Sequence, residues 1–151
     1  MGEFSLADFV PYLLNQAAEQ TSLDFSSIYR GRYNMRRTEW RALFHLGHFG
    51  AMTATDIARM SKMHKTKISR AIKELEEKRY VRREQVSNDR RSELLSLLPA
   101  GQRAFNDLYS IAERHNAQLL SQFSPGEKLI LLDCLQRLSK LDLAPPDQSL
   151  M

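Results

Sequence analysis

Apolar positions return at helical spacing early in the chain, first at Phe9, Tyr12, Leu13 and Ala17 and then at Phe25, Ile28 and Tyr29. That period predicts a long helix over residues 6–30, with Pro11 tolerable only in its first turn. Thr38 suits the N-cap of a second helix carrying Trp40, Leu43, Phe44 and Gly47 on one face, and Gly50 stops it. Thr53 opens a short third helix, with Asp56 at the N3 position and Ile57, Ala58 and Met60 turned inward. The clearest helix follows, from His64 to about Lys78, where Ile68, Ala71, Ile72 and Leu75 form one apolar stripe.

The period then changes. Residues 80–86 and 93–98 read as two extended runs around the turn-rich Ser87-Asn88-Asp89-Arg90-Arg91, a β-hairpin with a basic tip. Pro99 suits the first residue of a long helix reaching Phe123. Ser124-Pro125-Gly126-Glu127 is a capping box with proline at N1, and it starts a last helix lined by Leu131, Leu135, Leu138 and Leu141 that stops near Pro145-Pro146. The pattern predicts a mostly α fold with a small β-hairpin wing.

Charge sharpens this picture. The 22 basic and 18 acidic residues leave a net +4, which alone says little. Between residues 61 and 91, however, eleven basic residues face five acidic ones, while the rest of the chain is slightly acidic. A basic segment in an acidic body is the footprint of a polyanion binder. The order of short helix, tight turn, amphipathic helix and basic hairpin suits a helix-turn-helix whose second helix enters a major groove. Opposite its apolar stripe lie Lys65, Thr66, Lys67, Ser69, Arg70 and Lys73, all able to bond phosphates or base edges. Glu74, Glu76 and Glu77 come later, outside the groove. An arginine at the hairpin tip fits a minor groove, and Asp89 lies close enough to Arg91 to hold its guanidinium.

These residues resemble a family. Thr38-Glu39-Trp40-Arg41, the run from Met52 to Leu75, Asp89-Arg90-Arg91 and Leu95-Ser96-Leu97-Leu98-Pro99-Ala100-Gly101 look like the MarR family of bacterial winged helix-turn-helix transcriptional regulators. The resemblance implies one MarR-like domain over 1–151, with a winged-helix lobe at about 38–98 and dimerisation helices at about 6–33 and 99–144. It further implies a homodimer gripping a pseudo-palindromic operator on double-stranded DNA, most often as a ligand-responsive repressor. By the same resemblance Arg91 is the minor-groove arginine, Asp89 its orienter, and Thr66, Lys67, Ser69 and Arg70 recognition-helix contacts, with Lys65, Lys73 and Arg90 beside them. Two departures stand out: Leu98 replaces the usual threonine before Pro-Ala-Gly, and His64 stands where an acid is common.

A dimer has a separate argument. Leu119, Leu120, Leu129, Ile130, Leu131 and Leu132 all need cover that a small winged-helix core does not reach. A two-fold partner would bury them and set two reading helices about 34 Å apart, one turn of DNA. The rival is a closed monomeric bundle.

Other side chains leave alternatives open. Trp40, with Arg41, His45 and His48, is a candidate for a small aromatic or phenolic effector, often a carboxylate in resembling proteins; Trp40 as plain core is the rival. Tyr12, Tyr29 and Tyr33 carry the same ambiguity. His45 and His48 could begin a metal site, but no cysteine or carboxylate cluster with metal spacing stands near them. Cys134 lies between Leu131 and Leu135, where a small apolar role competes with redox sensing. We expect no cofactor and no catalysis: there is no phosphate-cradling glycine loop, no Gly-x-Ser-x-Gly and no His-Glu-x-x-His. A winged helix used for protein contacts alone is the remaining alternative. A lone cysteine and the lack of any long apolar run lead us to expect a cytoplasmic protein, at the nucleoid when bound to DNA, with no membrane partner.

Overall fold

A computed structural model describes residues 3–86 and 93–142 of the chain. A 3₁₀ turn, Leu6–Asp8, leads into α1 (Val10–Tyr33), α2 (Arg37–Phe49), β1 (Met52–Thr53), α3 (Ala54–Ser61) and α4 (Lys65–Glu77). Then come β2 (Val81–Gln85), β3 (Glu93–Leu97), α5 (Pro99–Leu120) and α6 (Pro125–Ser139). The chain divides into two compact units, residues 1–115 and 116–151.

The first unit holds the core. Leu43, Ile57, Ile68, Ile72, Leu75 and Leu108 are wholly buried, with Met35 and Leu95 nearly so. Every position of the predicted α4 stripe is inside. Helix-end chemistry fixes the boundaries. Thr53 and Asp56 form the expected reciprocal cap of α3. Asn34, Lys62 and Arg79 adopt left-handed backbone just past α1, α3 and α4. The N–H of the following residue then reaches back, Met35 to Tyr29, Met63 to Ala58 and Tyr80 to Leu75.

Five expectations need correction. The first helix starts at Val10, after a separate 3₁₀ turn closed by an extended Phe9, and runs to Tyr33 rather than covering 6–30; the last ends at Ser139, short of Pro145. α2 starts at Arg37 rather than after Thr38, because the Glu39 carboxylate accepts the Arg36 N–H at 2.7 Å and caps the helix from within. Met60 is 40% exposed and points outward, since eight residues of α3 offer the core only one narrow face, led by Ile57. α5 ends at Leu120, before Phe123. The structure also adds a strand. β1 pairs antiparallel with β3, Met52 opposite Leu95, so the hairpin is part of a three-stranded sheet of order β1-β3-β2. β2 and β3 pair from Val81 opposite Leu97 to Gln85 opposite Glu93.

Gly101 explains its place in the Leu-x-Leu-x-x-x-Gly run. A Cβ there would collide with the Tyr80 carbonyl, so only glycine lets the first turn of α5 pack on the backbone ahead of β2. In the second unit, α6 has the predicted Ser124/Glu127 box but buries no side chain, and Leu129 and Ile130 are largely exposed.

Candidate nucleic-acid interface

The turn from α3 to α4 occupies Lys62, Met63 and His64. His64 caps α4, its Nδ1 accepting the Thr66 N–H at 3.2 Å. An imidazole therefore caps the helix without adding a negative charge to its start. Lys65, Thr66, Lys67, Ser69, Arg70 and Lys73 are all exposed on the face opposite the buried stripe. Among the described residues, Lys65, Lys67 and Lys73 make no ion pair, and Arg70 is drawn only loosely to Glu74, 3.6 Å away.

The acids of α4 are used differently. Glu74 also faces Arg36 at 3.7 Å, and Glu76 accepts from Arg83 of β2 at 2.5 Å. Arg83 is held from its other side by Glu93 of β3 at 3.0 Å. Arg83 thus ties the hairpin stem to the second half of α4. Glu39 and Lys78 tie that half to α2: Glu39 is buried, and Lys78 Nζ reaches its Oε1 at 2.5 Å and the Asn34 carbonyl at 2.6 Å. The last turn of α4 is bound into the domain, while its first two turns present Lys65 and Lys67, without an ion pair among the described residues, and the loosely held Arg70. Asp89, Arg90 and Arg91, the expected wing tip, lie outside the described residues.

Two hollows are lined by residues of both α1 and α2. One, of about 240 Å³, is lined by Ser22, Phe25, Tyr29, Arg37, Trp40 and Arg41. Its walls are aromatic: Phe25 and Trp40 meet edge to face with centroids 4.9 Å apart, and Tyr29 stacks near Trp40. Burial, and next the neighbouring Arg37 charge, pull the Arg41 guanidinium below the usual arginine value. The other hollow, of about 380 Å³, gathers Arg37, Arg41, Lys62 and Lys67 around the start of α4, with the Glu19 carboxylate, held by Arg37, as its one acidic lining residue. Positive charge therefore converges where the helix N–H groups already favour anions.

Of the four expected effector residues, Trp40 and Arg41 line the aromatic hollow. His45 and His48 do not. The His45 Nδ1 bonds the Arg41 carbonyl at 2.6 Å, and His48 stacks on Phe44 and near Tyr109. Tyr29 is in the wall, whereas Tyr33 donates its hydroxyl to Asp107 at 2.6 Å and Tyr12 is exposed. Sequence reasoning passed over Phe25 and Arg37; the signal for Arg37 was its place one helical turn before Arg41. Among the described residues no three His, Cys, Asp or Glu side chains are grouped to hold a metal. Also among them, no helix is long and apolar enough to cross a membrane. Cys134 is half-buried with a free thiol.

A capped short helix, a three-residue turn, a cationic helix and a hairpin buttressed against it define a winged helix-turn-helix DNA-binding protein. Residues 33–92 match the MarR family profile. The chain is 25% identical over 126 residues to the uncharacterized HTH-type transcriptional regulator YwaE of Bacillus subtilis, covering 83% of this chain and 74% of that one. A MarR/EmrR family transcriptional regulator from Acinetobacter sp. ADP1 superposes with a TM-score of 0.80 at 26% identity, over 90% of this chain and 96% of the other. BpsR of Bordetella bronchiseptica, whose DNA binding is regulated by 6-hydroxynicotinic acid, shares the fold with a TM-score of 0.82 at 19% identity, over 93% and 100% of the two chains. Over residues 33–92 the chain thus matches the MarR family, and over most of its length it is similar to winged-helix transcription regulators.

Proposed function

We propose that this chain is a homodimeric repressor that reads a pseudo-palindromic operator and releases it when an aromatic acid binds. In this reading Thr66, Lys67, Ser69 and Arg70 meet base edges and phosphates in the major groove, and Lys65 and Lys73 hold phosphates. Arg91, oriented by Asp89 and flanked by Arg90, enters the adjacent minor groove. The observation that carries the reading is the division of α4: a wholly buried stripe on one side, and on the other Lys65 and Lys67, which make no ion pair among the described residues, beside an Arg70 held only loosely by Glu74. Lysines kept free of acids are positioned for an external anion, and phosphate contacts supply most of the affinity.

The second copy is supported by apolar surface in each unit. Phe4, Leu6, Val10 and Leu13 are exposed near the start, as are Leu129, Ile130, Leu132 and Leu135 on α6. Such patches mark association surfaces, and a two-fold operator needs a two-fold protein. The effector reading is supported by the aromatic hollow, whose ring-lined walls and paired guanidiniums suit a flat molecule with a carboxylate. BpsR, similar in fold, responds to a ligand of that class. His45 and His48 then act behind the wall, through Arg41 and Phe44.

Selection of duplexes from a random library, followed by footprinting, tests the reading. We expect an inverted repeat with half-site centres one helical turn apart. Arg70→Ala and Arg91→Ala should each weaken binding to the selected duplex by about 1–3 kcal/mol. Recovery of no repeat, or unaltered affinity in both variants, overturns it.

A further inference from the structure

Arg41 touches two places at once. α2 sets its side chain in the wall of the aromatic hollow, beside Trp40 and Arg37. Its Nη2 also donates to the carbonyl of Ser61, the last residue of α3, at 2.6 Å. That carbonyl stands at the entrance to the turn that aims α4. The turn contains one strained residue. Lys62 adopts φ 58° and ψ 31°, left-handed backbone that costs a non-glycine residue about 1 kcal/mol or more. The local bond from the Met63 N–H to the Ala58 carbonyl, at 3.2 Å, closes the turn, and the Arg41 bond adds a tie from twenty residues away.

The two guanidiniums in the wall differ in their acceptors. Arg37 has the Glu19 carboxylate at 2.9 Å, whereas the acceptor held by Arg41 is a neutral carbonyl. A carboxylate makes a hydrogen bond to guanidinium roughly twice as strong as a neutral acceptor does. An aromatic acid in the hollow therefore competes with Ser61 for Arg41, and it has the stronger claim.

We propose that Arg41 couples the hollow to the reading helix: bonded to Ser61 it holds the turn and α4 in the DNA-reading pose, and an effector carboxylate draws it away and loosens the turn. The inference rests on the hollow being the effector site, and it deepens that reading by naming the residue through which occupancy reaches DNA. It also makes the carboxylate, rather than the ring, the signal. A neutral amide of the same ring fills the hollow without displacing Arg41 from Ser61.

The test compares Arg41→Gln with Arg37→Gln, two changes that each remove one positive charge from the same wall. A hydrogen bond of about 1 kcal/mol predicts that Arg41→Gln, with no ligand present, speeds hydrogen exchange at the Lys62, Met63 and Thr66 amides about fivefold. Affinity for the selected duplex should fall by a similar factor while far-UV circular dichroism stays unchanged. Arg37→Gln should leave exchange at those three amides at the wild-type rate. Should Arg41→Gln not fold, Arg41→Lys keeps the charge but cannot reproduce the guanidinium's reach, and the same acceleration is expected. Wild-type exchange in the Arg41 variant, or equal acceleration in both variants, overturns the coupling.

Trp40, the single tryptophan, reports occupancy by fluorescence. In the wild type, 6-hydroxynicotinate should quench it, speed exchange at the same amides and lower duplex affinity; 6-hydroxynicotinamide should quench it alone. Quenching by the acid with no change in exchange overturns the coupling but leaves the hollow as a ligand site. Absence of quenching refutes the hollow as a site for this acid and removes the trigger proposed here, and the ligand-free comparison still decides whether Arg41 holds the turn.

Discussion

Replacing Lys78 with methionine would strand the Glu39 carboxylate. That carboxylate is about as deeply buried as any side chain in the first unit, its side chain only 2% exposed, and it takes one bond from the Arg36 N–H and one from Lys78. Removing one partner of a fully buried pair costs about 3–5 kcal/mol, because the remaining charge is left without compensation. The Lys78 side chain is a quarter exposed, so water recovers part of the loss and the lower end, about 3 kcal/mol, is expected for Lys78→Met. Glu39→Gln is milder. It keeps shape and an acceptor for Arg36, and the ammonium it leaves behind still donates to Asn34 at 2.6 Å; about 1–2 kcal/mol follows. The double variant has no buried charge to strand. It should cost less than the sum of the single changes, with a coupling of about 2 kcal/mol.

Urea unfolding, followed by Trp40 fluorescence and far-UV circular dichroism at one fixed protein concentration, measures all four corners of the cycle. At about 2–4 °C per kcal/mol for a chain of this size, Lys78→Met should also lower Tm by roughly 6–12 °C. Strict additivity, or a Lys78→Met cost under about 1 kcal/mol, would refute the reasoning by showing that the pair behaves as an exposed one.

Three further outcomes are expected. The Tyr33 hydroxyl, desolvated and bonded to Asp107, has its pKa pushed up to about 12; the folded chain then keeps a proton that the unfolded chain sheds near 10. Its contribution is complete below pH 10 and disappears between pH 10 and 12, so Tyr33→Phe should flatten the fall of Tm across that window. Gly101→Ala forces a methyl against the Tyr80 carbonyl, a backbone obstacle that cannot rotate aside, and should destabilise by at least the 1–3 kcal/mol typical of overpacking; an unshifted urea midpoint would show that α5 has slid away. Lys65→Ala should weaken binding about equally on all duplexes and reduce the slope of log affinity against log salt by about 1, whereas a change in the selected sequence would make Lys65 a base reader.

What the sequence revealed and what it hid divide along the range of the interactions. The α4 stripe was legible because four apolar side chains at 3.6-residue spacing have only one way to be buried together, and all four are inside. The Thr53 and Ser124 caps were legible because donor and acceptor lie three residues apart. β1 was not: two residues have no period, and their strand character comes wholly from β3 more than forty positions away. Glu39 shows both cases in one side chain. Its bond to Arg36 was readable as a helix-start pattern, but the Thr38 hydroxyl offered a more conventional cap and concealed it. Its partner Lys78 lies thirty-nine residues downstream and carries no local mark.

The same division explains why the candidate interface was easier to read than the aromatic hollow. A surface meant for DNA needs charge, exposure and regular spacing on one helix, all of which are local. The hollow instead takes Phe25 and Tyr29 from α1 and Trp40 and Arg41 from α2, and nothing along either helix says that their faces meet there. A periodic apolar residue is equally suited to filling a core and to lining a hollow, so Trp40 could be weighed from sequence but not decided. Arg41 breaks that symmetry. A guanidinium on the inward side of an amphipathic helix needs an acceptor, and the acceptor it has is the Ser61 carbonyl, which ends α3 and leads into the turn before the cations of α4. One hydrogen bond thereby runs from the charge on the hollow's wall to the end of α3, one turn ahead of the charge on the outer face of α4.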